Sequence, residues 1–281
     1  MKRIVIVGHP LGHSLSPIMH NAAFSAMGLD TELHYDSLQL RPDELSNLID
    51  DIKNEIILGA NITIPYKTEI MKHLSLIDEE SKALGAVNTL YVDDGDVIGS
   101  NTDIFGFREA LREHGVRVRG LCASILGAGG AARAVAHALV EDGIESLEIL
   151  CRTRQKAEDL VSMVQRFSDI QVSLNCSSSG DYQHHETDLL VNCTPVGMRG
   201  HSLSETPLSS SYLTEGLVVM DLVYNPLQTR LLTEAQRTGC KTIAGIEMLV
   251  KQGAASFELW TGRKPPTAVM KEAVLDALGG M

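Results

Sequence analysis

Residues 121–143 read L-C-A-S-I-L-G-A-G-G-A-A-R-A-V-A-H-A-L-V-E-D-G. The first six form a short, mostly apolar run with the length of a buried strand. Gly127-x-Gly129-x-x-Ala132 follows at once, and Ala131, Ala134, Val135, Ala138 and Leu139 then recur at helical spacing until Gly143. Glycines at such a strand-to-helix turn let the backbone bend tightly and approach a pyrophosphate. Amide hydrogens and the positive end of the helix hold the charge, while Ala132 keeps helix and strand close. A tight turn in any α/β protein carries the same pattern; flanks of the required type on both sides favour a dinucleotide site.

Working outward, the strand–helix rhythm persists. Residues 147–151, 172–175, 189–193, 217–223 and 242–244 are strand-like runs separated by helical or loop stretches, which predicts a doubly wound Rossmann-type α/β domain. Residues 168–186, with Ser177–Ser179 and the His184-His185 pair, form the least patterned stretch and are expected as surface loop. The end of the second strand decides the cofactor. An NAD site places Asp or Glu there to bind the ribose 2′-hydroxyl, whereas this chain has Cys151-Arg152-Thr153-Arg154. An exposed arginine pair is the alternative, but two guanidinium groups and a hydroxyl at this position suit a 2′-phosphate, which predicts NADP.

The chain has 281 residues, 44% hydrophobic and 21% charged, enough to bury a large core in one large or two modest domains. A net charge of -12 argues against nucleic acid or an anionic membrane as partner, so an anionic ligand has to be bound by a local pocket. Lys2-Arg3 and the apolar run to Val7 stop at Gly8-His9-Pro10, too early for a signal peptide, and no stretch is long enough to span a bilayer. Five cysteines, odd in number and without a C-x-x-C pair, fit reduced thiols, and the reading is cytoplasmic; the sequons at Asn61, Asn175 and Asn192 are then accidental. No metal is expected. His9 and His13 straddle Pro10 and Gly12 and cannot pair on a helix, and His184-His185 lacks a ligand at metal spacing.

The first hundred residues carry the other candidate chemistry. A strand over residues 4–7 leads to H-P-L-G-H-S-L-S-P, where Ser16 is placed as a helix N-cap before Pro17 and Ser14 is left facing a polar ligand. Residues 33–38 read as a strand and 43–53 as a helix. A strand over 56–64 enters N-I-T-I-P-Y-K, in which Asn61 and Thr63 share a face and Pro65 opens a helix with Lys67 in its first turn. A cation there opposes the helix dipole, so Asn61, Thr63 and Lys67 are read as lining one polar pocket rather than as chance surface. Residues 78–84 predict a short helix ended by Gly85, and 87–99 a hairpin across D-D-G-D. Asn88 and Asp103 are the polar residues to watch, with N-capping the default for Asp103.

Taken together, S-L-S-P at 14–17, N-I-T-I-P-Y-K at 61–67, A-V-N-T at 86–89, N-T-D at 101–103, G-A-G-G-A-A-R at 127–133, R-T-x-x-K at 152–156, N-C-T-P-V-G-M at 192–198, D-L-V-Y-N-P at 221–226 and G-I-E-M-L-V-x-Q-G-A at 245–254 resemble the shikimate dehydrogenase family along nearly the whole chain. The resemblance implies reversible reduction of 3-dehydroshikimate to shikimate by NADPH, in aromatic amino acid biosynthesis. It implies a separate α/β substrate-binding catalytic domain, residues 1–103, completed by C-terminal helices at 246–281, with an NADP-binding Rossmann domain at 104–245. By position, Ser14, Ser16 and Tyr224 would hold the substrate carboxylate, and Thr63, Lys67, Asn88, Asp103 and Gln252 its ring hydroxyls. Lys67 and Asp103 would be the catalytic pair. Gly127, Ala128, Gly129, Gly130 and Ala131 would carry the pyrophosphate, and Arg152, Thr153 and Arg154 the 2′-phosphate. Thr194, Leu222, Gly245 and Met248 would surround ribose and nicotinamide. The family often has Asn at the position of Cys151, which removes one expected adenosine contact.

Two rivals differ in class. A dual quinate/shikimate dehydrogenase is the nearest enzyme alternative, and Ser16 and Arg152 argue against it; a catalytically silent NADP-binding regulator would lack Lys67 or Asp103, and both are present. The assembly state is not written in these motifs, and a homodimer stays open.

Overall fold

The computed structural model describes the chain apart from residues 10, 12, 13, 178–181, 183–185, 201 and 281. His13, the His184-His185 pair and part of the expected loop at 168–186 lie outside the described residues. The chain divides into two compact units, Met1–Gly106 with Val250–Met281, and Phe107–Leu249.

The first unit holds a six-stranded mixed sheet in the order β2-β1-β3-β5-β6-β4. Its strands are β1 (Lys2–Val7), β2 (Leu33–Leu38), β3 (Ile57–Ile62), β4 (Leu76–Ile77), β5 (Thr89–Asp93) and β6 (Asp96–Ser100). β1 pairs in parallel with β2 and β3, while β3–β5 and β5–β6 are antiparallel. The β5–β6 hairpin turns on Asp94-Gly95, both at positive φ, as a two-residue loop of this composition should. Three helices accompany these strands: α1 (Ser16–Ala26), α2 (Leu45–Lys53) and α3 (Glu79–Leu84). The α2 stripe of Leu45, Leu48, Ile49 and Ile52 packs into one core with Val5, Val7, Ile57, Ile62 and Leu90. Each such fully buried side chain stabilises by about 1.5–3 kcal/mol. α3 begins at an Asp78 side-chain cap on the Ser81 amide and stops at Gly85 in the left-handed region, as its residue pattern predicts.

In the second unit six parallel strands run β12-β11-β10-β7-β8-β9. They are β7 (Cys122–Leu126), β8 (Ser146–Cys151), β9 (Gln171–Cys176), β10 (Leu189–Asn192), β11 (Val218–Asp221) and β12 (Lys241–Ala244), with α5 (Gly130–Glu141), α6 (Arg154–Val164) and α7 (Arg230–Arg237) between them. The strand run at 172–175, embedded in the stretch otherwise expected as loop, is the core of β9. Its side chains are only half buried because β9 is the sheet edge. Strand order reverses at β7, so the crevice for a ligand lies at the carboxyl ends of β7 and β10. α5 buries Ala132, Ala134, Ala136 and Ala138, small residues that let the helix lie close on the sheet. The chain passes between the units within α4 (Thr102–Glu113) and returns within α8 (Gly245–Thr261), and α9 (Thr267–Gly279) packs on α1. Among the described residues no helix is long and apolar enough to cross a membrane.

Candidate active site

In the first unit the polar residues of four motifs converge. The Thr63 amide donates to the Val7 carbonyl at 2.8 Å, extending the β1–β3 pairing past the end of β3. The chain then turns, and no helix opens at Pro65, which corrects the sequence expectation. The Lys67 carbonyl accepts the Val87 amide at 2.8 Å, a tertiary bond in place of a helical one, and regular structure resumes only in a short 3₁₀ turn at Ile70–His73. Lys67 therefore meets no helix dipole. That bond fixes its backbone beside Asn88, and its Nζ lies 2.5 Å from Asp103 Oδ2. The two side chains are 15% and 8% exposed, so the pair is shielded from water without being sealed off.

Asp103 is held from its other oxygen, where Oδ1 accepts Asn88 Nδ2 at 2.9 Å. It is not a helix cap. Asn101 serves that end of α4, its Oδ1 accepting the Asp103 amide at 3.0 Å, which leaves the Asp103 carboxylate to Lys67 and Asn88. Asn88 Oδ1 in turn accepts the Thr102 amide and the Thr89 hydroxyl, each at 2.8 Å. Beneath lies a layer that the sequence reading missed. Ser256 of α8 lies within hydrogen-bond distance of Thr89 (2.8 Å), Thr102 (3.0 Å) and Asn61 (3.1 Å), and its hydroxyl donates to the Gln252 carbonyl. The helix segment that carries Gln252 is thereby tied to the network around Asn88 and Asp103. The spacing of Gln252 and Ser256, one helical turn apart, was the available signal.

Asn61 is buried and belongs to this supporting layer rather than to a pocket wall. Its amide donates to Asn88 O, Thr89 and Ser256, and its oxygen accepts the Tyr35 hydroxyl at 2.6 Å. Thr63 is half buried on the next turn of the chain. Ser16 is not an N-cap either. Leu15 holds that position without a side-chain bond, and buried Ser16 is the first helical residue. The Ser16 amide reaches the Ser14 hydroxyl at 3.4 Å, which brings the two serines of the loop together.

The second unit gathers the remaining motifs at the carboxyl edge of its sheet. Gly127 has φ +98°, and a Cβ there would sit 3.0 Å from Thr194 Cγ2, so the turn after β7 passes directly against the loop after β10. At Gly245 a Cβ would meet the Leu222 carbonyl at 2.5 Å, which brings the ends of β11 and β12 together in the same way. Ala128 follows in this turn, and Gly129 is the N-cap of α5, opening the helix at Gly130 and Ala131 without a side-chain cap for the first-turn amides. Met248 is buried in the first turn of α8. Asn192, fully buried, accepts the Thr194 amide and hydroxyl on Oδ1 and donates to Asp221 Oδ1 at 2.8 Å. Asp221 also accepts Thr229 and the Val223 amide, and burial, partly offset by those bonds, pushes its carboxyl up to about 6. This Asn192–Asp221–Thr229 chain fixes the loops that carry Thr194 and Leu222, and it too was missed although both residues stand in motifs.

Arg152, Thr153 and Arg154 follow β8 and are exposed, Thr153 at the N-cap of α6 without a side-chain bond and Arg154 3.6 Å from Glu158. Tyr224 lies on the loop after β11 in this second unit, its phenol held above the usual range by burial.

The similarity to known proteins extends along the chain. Residues 6–90 match the shikimate dehydrogenase substrate binding domain, 109–194 match shikimate / quinate 5-dehydrogenase, and 245–275 match the shikimate 5′-dehydrogenase C-terminal domain. The chain is similar to the NADP+ shikimate dehydrogenase of Methanocaldococcus jannaschii, 44% identical with 99% of this chain and 97% of that one covered. It is likewise 44% identical to the enzyme of that name from Symbiobacterium thermophilum, covering 98% and 94%. The crystal structure of Thermus thermophilus shikimate 5-dehydrogenase in complex with NADP(H) and shikimate superposes with a TM-score of 0.86 at 38% identity, covering 99% of this chain and all of that one. With motifs, fold and whole-length similarity in agreement, the chain belongs to the shikimate dehydrogenase family.

Proposed function

We propose that the chain catalyses the reversible NADPH-dependent reduction of 3-dehydroshikimate to shikimate, and the observation that carries this is the shielded Lys67–Asp103 pair inside a neutral hydrogen-bond frame. The first unit is the substrate domain and the second the cofactor domain. The fit of a dinucleotide rests on Gly127, whose place a Cβ would crowd, and on an α5 N-terminus with no side-chain cap. Gly127–Ala131 would hold the pyrophosphate, Arg152, Thr153 and Arg154 the 2′-phosphate, and Thr194, Leu222, Gly245 and Met248 the ribose and nicotinamide. When bound, NADPH supplies the hydride.

The chain's own groups then meet the charge that appears on the ketone oxygen. The Lys67 ammonium stabilises the developing alkoxide and supplies the proton that completes the alcohol; in the reverse direction it receives that proton. Asp103 hydrogen-bonds the neighbouring ring hydroxyl and fixes the Lys67 head, and Asn88 holds Asp103 in place from behind. Ser14 and Ser16 present hydroxyls to the substrate carboxylate, and Thr63 and Gln252 to its remaining ring hydroxyls. We place the reaction in the cytoplasm, which five unbridged cysteines support.

The test is NADP reduction by the purified protein with shikimate against quinate, repeated with NAD. Turnover dominated by shikimate with NADP supports the reading. Equal kcat/KM with quinate makes the enzyme a dual quinate/shikimate dehydrogenase, and no turnover with either makes it a binding protein.

A further inference from the structure

At the carboxyl ends of β8 and β9 two thiols face each other. Cys151 and Cys176 are register partners on adjacent parallel strands, and their sulfurs lie 2.8 Å apart with no bond between them. Neighbouring strands are about 4.7–4.9 Å apart, inside the Cα separation of about 4.4–6.8 Å that a disulfide bridges. Strand alternation puts both side chains on the same face of the sheet, so closing the bond needs no turning of either strand. Cys151 is buried, whereas Cys176 is half exposed. The buried thiol is held above its ordinary range by burial first and then by the hydrogen bond and charge of Cys176, which leaves Cys176 as the sulfur that meets an oxidant.

We propose that Cys151 and Cys176 form a reversible thiol–disulfide couple, oxidised by hydrogen peroxide, whose closure disturbs the Arg152-Thr153-Arg154 segment. In the first step the Cys176 sulfur attacks one peroxide oxygen and the O–O bond breaks. Cys176 becomes a sulfenic acid, and the departing hydroxide leaves as water with the thiol proton. In the second step the Cys151 sulfur attacks Cys176, the S–O bond breaks, and the hydroxide leaves with the Cys151 proton as a second water. Two thiols are oxidised by two electrons and one peroxide is reduced to two waters. Arg152 follows Cys151 directly and α6 starts at Arg154, so a shift at the end of β8 passes to the two basic residues through one and three peptide bonds. The Cys151 carbonyl also accepts the Ser177 amide at 3.0 Å, tying the exit of β9 to the same point.

The crosslink stands on geometry alone; its effect on NADP rests on the cofactor reading above. The reduced, folded protein is treated with hydrogen peroxide, remaining thiols are alkylated, and peptides are mapped by mass spectrometry. The expected result is a Cys151–Cys176 peptide pair lighter by two hydrogens and restored by dithiothreitol, with KM for NADP raised several-fold in the oxidised form and unmoved by peroxide in Cys176→Ser. Cys176 stopping at sulfenic or sulfinic acid, or a crosslink that forms only after denaturation, overturns the couple. A crosslink with unchanged KM overturns its coupling to the cofactor. An Arg152→Ala, Arg154→Ala double variant separates the two ideas: if it keeps the parent's preference for NADP over NAD, the cofactor reading has failed and the crosslink result stands by itself.

Discussion

The two candidate sites are built from different parts of the polypeptide. Around Lys67 and Asp103 the frame is made of side chains: Asn88, Thr89, Thr102, Asn61 and Ser256 hold one another, and Asn101 holds the Asp103 amide. At the glycine turn the frame is backbone, and side chains matter there mainly by being small, at Gly127 and Gly245, or by reaching out from the surface, at Arg152 and Arg154. A side-chain frame sets atoms to fractions of an ångström for chemistry but fails when one member is lost. A backbone frame suits a large, modular ligand and tolerates changes at exposed positions. The fold places each kind where its elements allow. The first sheet is mixed and meets a helix that returns from the far end of the chain, and the second is parallel with every carboxyl end on one edge.

The largest expected effect breaks the side-chain site at its centre. Lys67→Ala removes the group that meets charge in the transition state, so kcat should fall by about 10²–10⁴-fold with a much smaller change in shikimate affinity. Steady-state kinetics on protein shown to be folded decide it, and near-parental kcat sinks the assignment. The backbone site should answer next and differently. The double change of Arg152 and Arg154 to Ala removes charged hydrogen bonds worth about 1.5–3 kcal/mol each when the phosphate is held. It should weaken NADP by about tenfold or more, leave kcat at saturating NADP nearly intact and leave melting unchanged, because both side chains are exposed in the free protein.

A finer contrast compares support positions. Ser256→Ala strips a shared partner from Asn61, Thr89 and Thr102, all buried, and should lower stability by about 1–3 kcal/mol in urea unfolding while kcat falls less than in Lys67→Ala. Thr153→Ala at the N-cap of α6 should leave stability nearly unchanged, since its side chain makes no cap bond. Equal losses in the two variants would show that the distinction between the frames is false.

This difference also explains what could be read from the sequence. The second unit was legible because its signals are local: strand, glycine turn and helix follow one another over residues 121–143, and the rhythm repeats. In the first unit local rules misassigned three residues. Lys67 was expected in a helical first turn, Asp103 and Ser16 as caps; the Val87 amide takes the Lys67 carbonyl through a tertiary bond, the Asn101 side chain serves the start of α4 and leaves Asp103 to Lys67, and Leu15 takes the cap position before Ser16. Ser256 offered only its helical spacing from Gln252, since its side-chain partners Asn61, Thr89 and Thr102 are more than 150 residues away along the chain. The motifs of the family marked where the chemistry lies without revealing the layer that supports it.

The smallest expected effect sharpens the comparison through pH, because burial shifts His20 in the first unit and Asp221 in the second so that their contributions to stability run in opposite directions. His20 lies within an aromatic cluster, 4.5 Å from Tyr35 and 5.3 Å from Trp260 between ring centres, with neither ring nitrogen hydrogen-bonded. Burial lowers its pKa from 6.5 to about 3. Above pH 6.5 the ring is neutral in both states; as pH falls the unfolded chain takes a proton that the folded one refuses, so stability is lost progressively down to about pH 3. Asp221 behaves in reverse. Its folded pKa is raised from 3.8 to about 6, so the stability linked to its proton is fully present below 3.8 and lost as pH rises through about 6. Between pH 7 and 5.5 each amounts to about 1 kcal/mol, a loss in the first unit and a gain in the second. Trp260, the single tryptophan, reports the first unit by fluorescence in urea, and hydrogen exchange of β11 reports the second. His20→Phe should flatten the acid-side slope seen by Trp260. Asp221→Asn should remove the gain in β11, because the amide oxygen can still accept from Asn192 and Val223 and the Thr229 hydroxyl can turn to accept. If both probes follow one pH profile in the parent and in both variants, the titrations of the two groups are not what distinguishes the units.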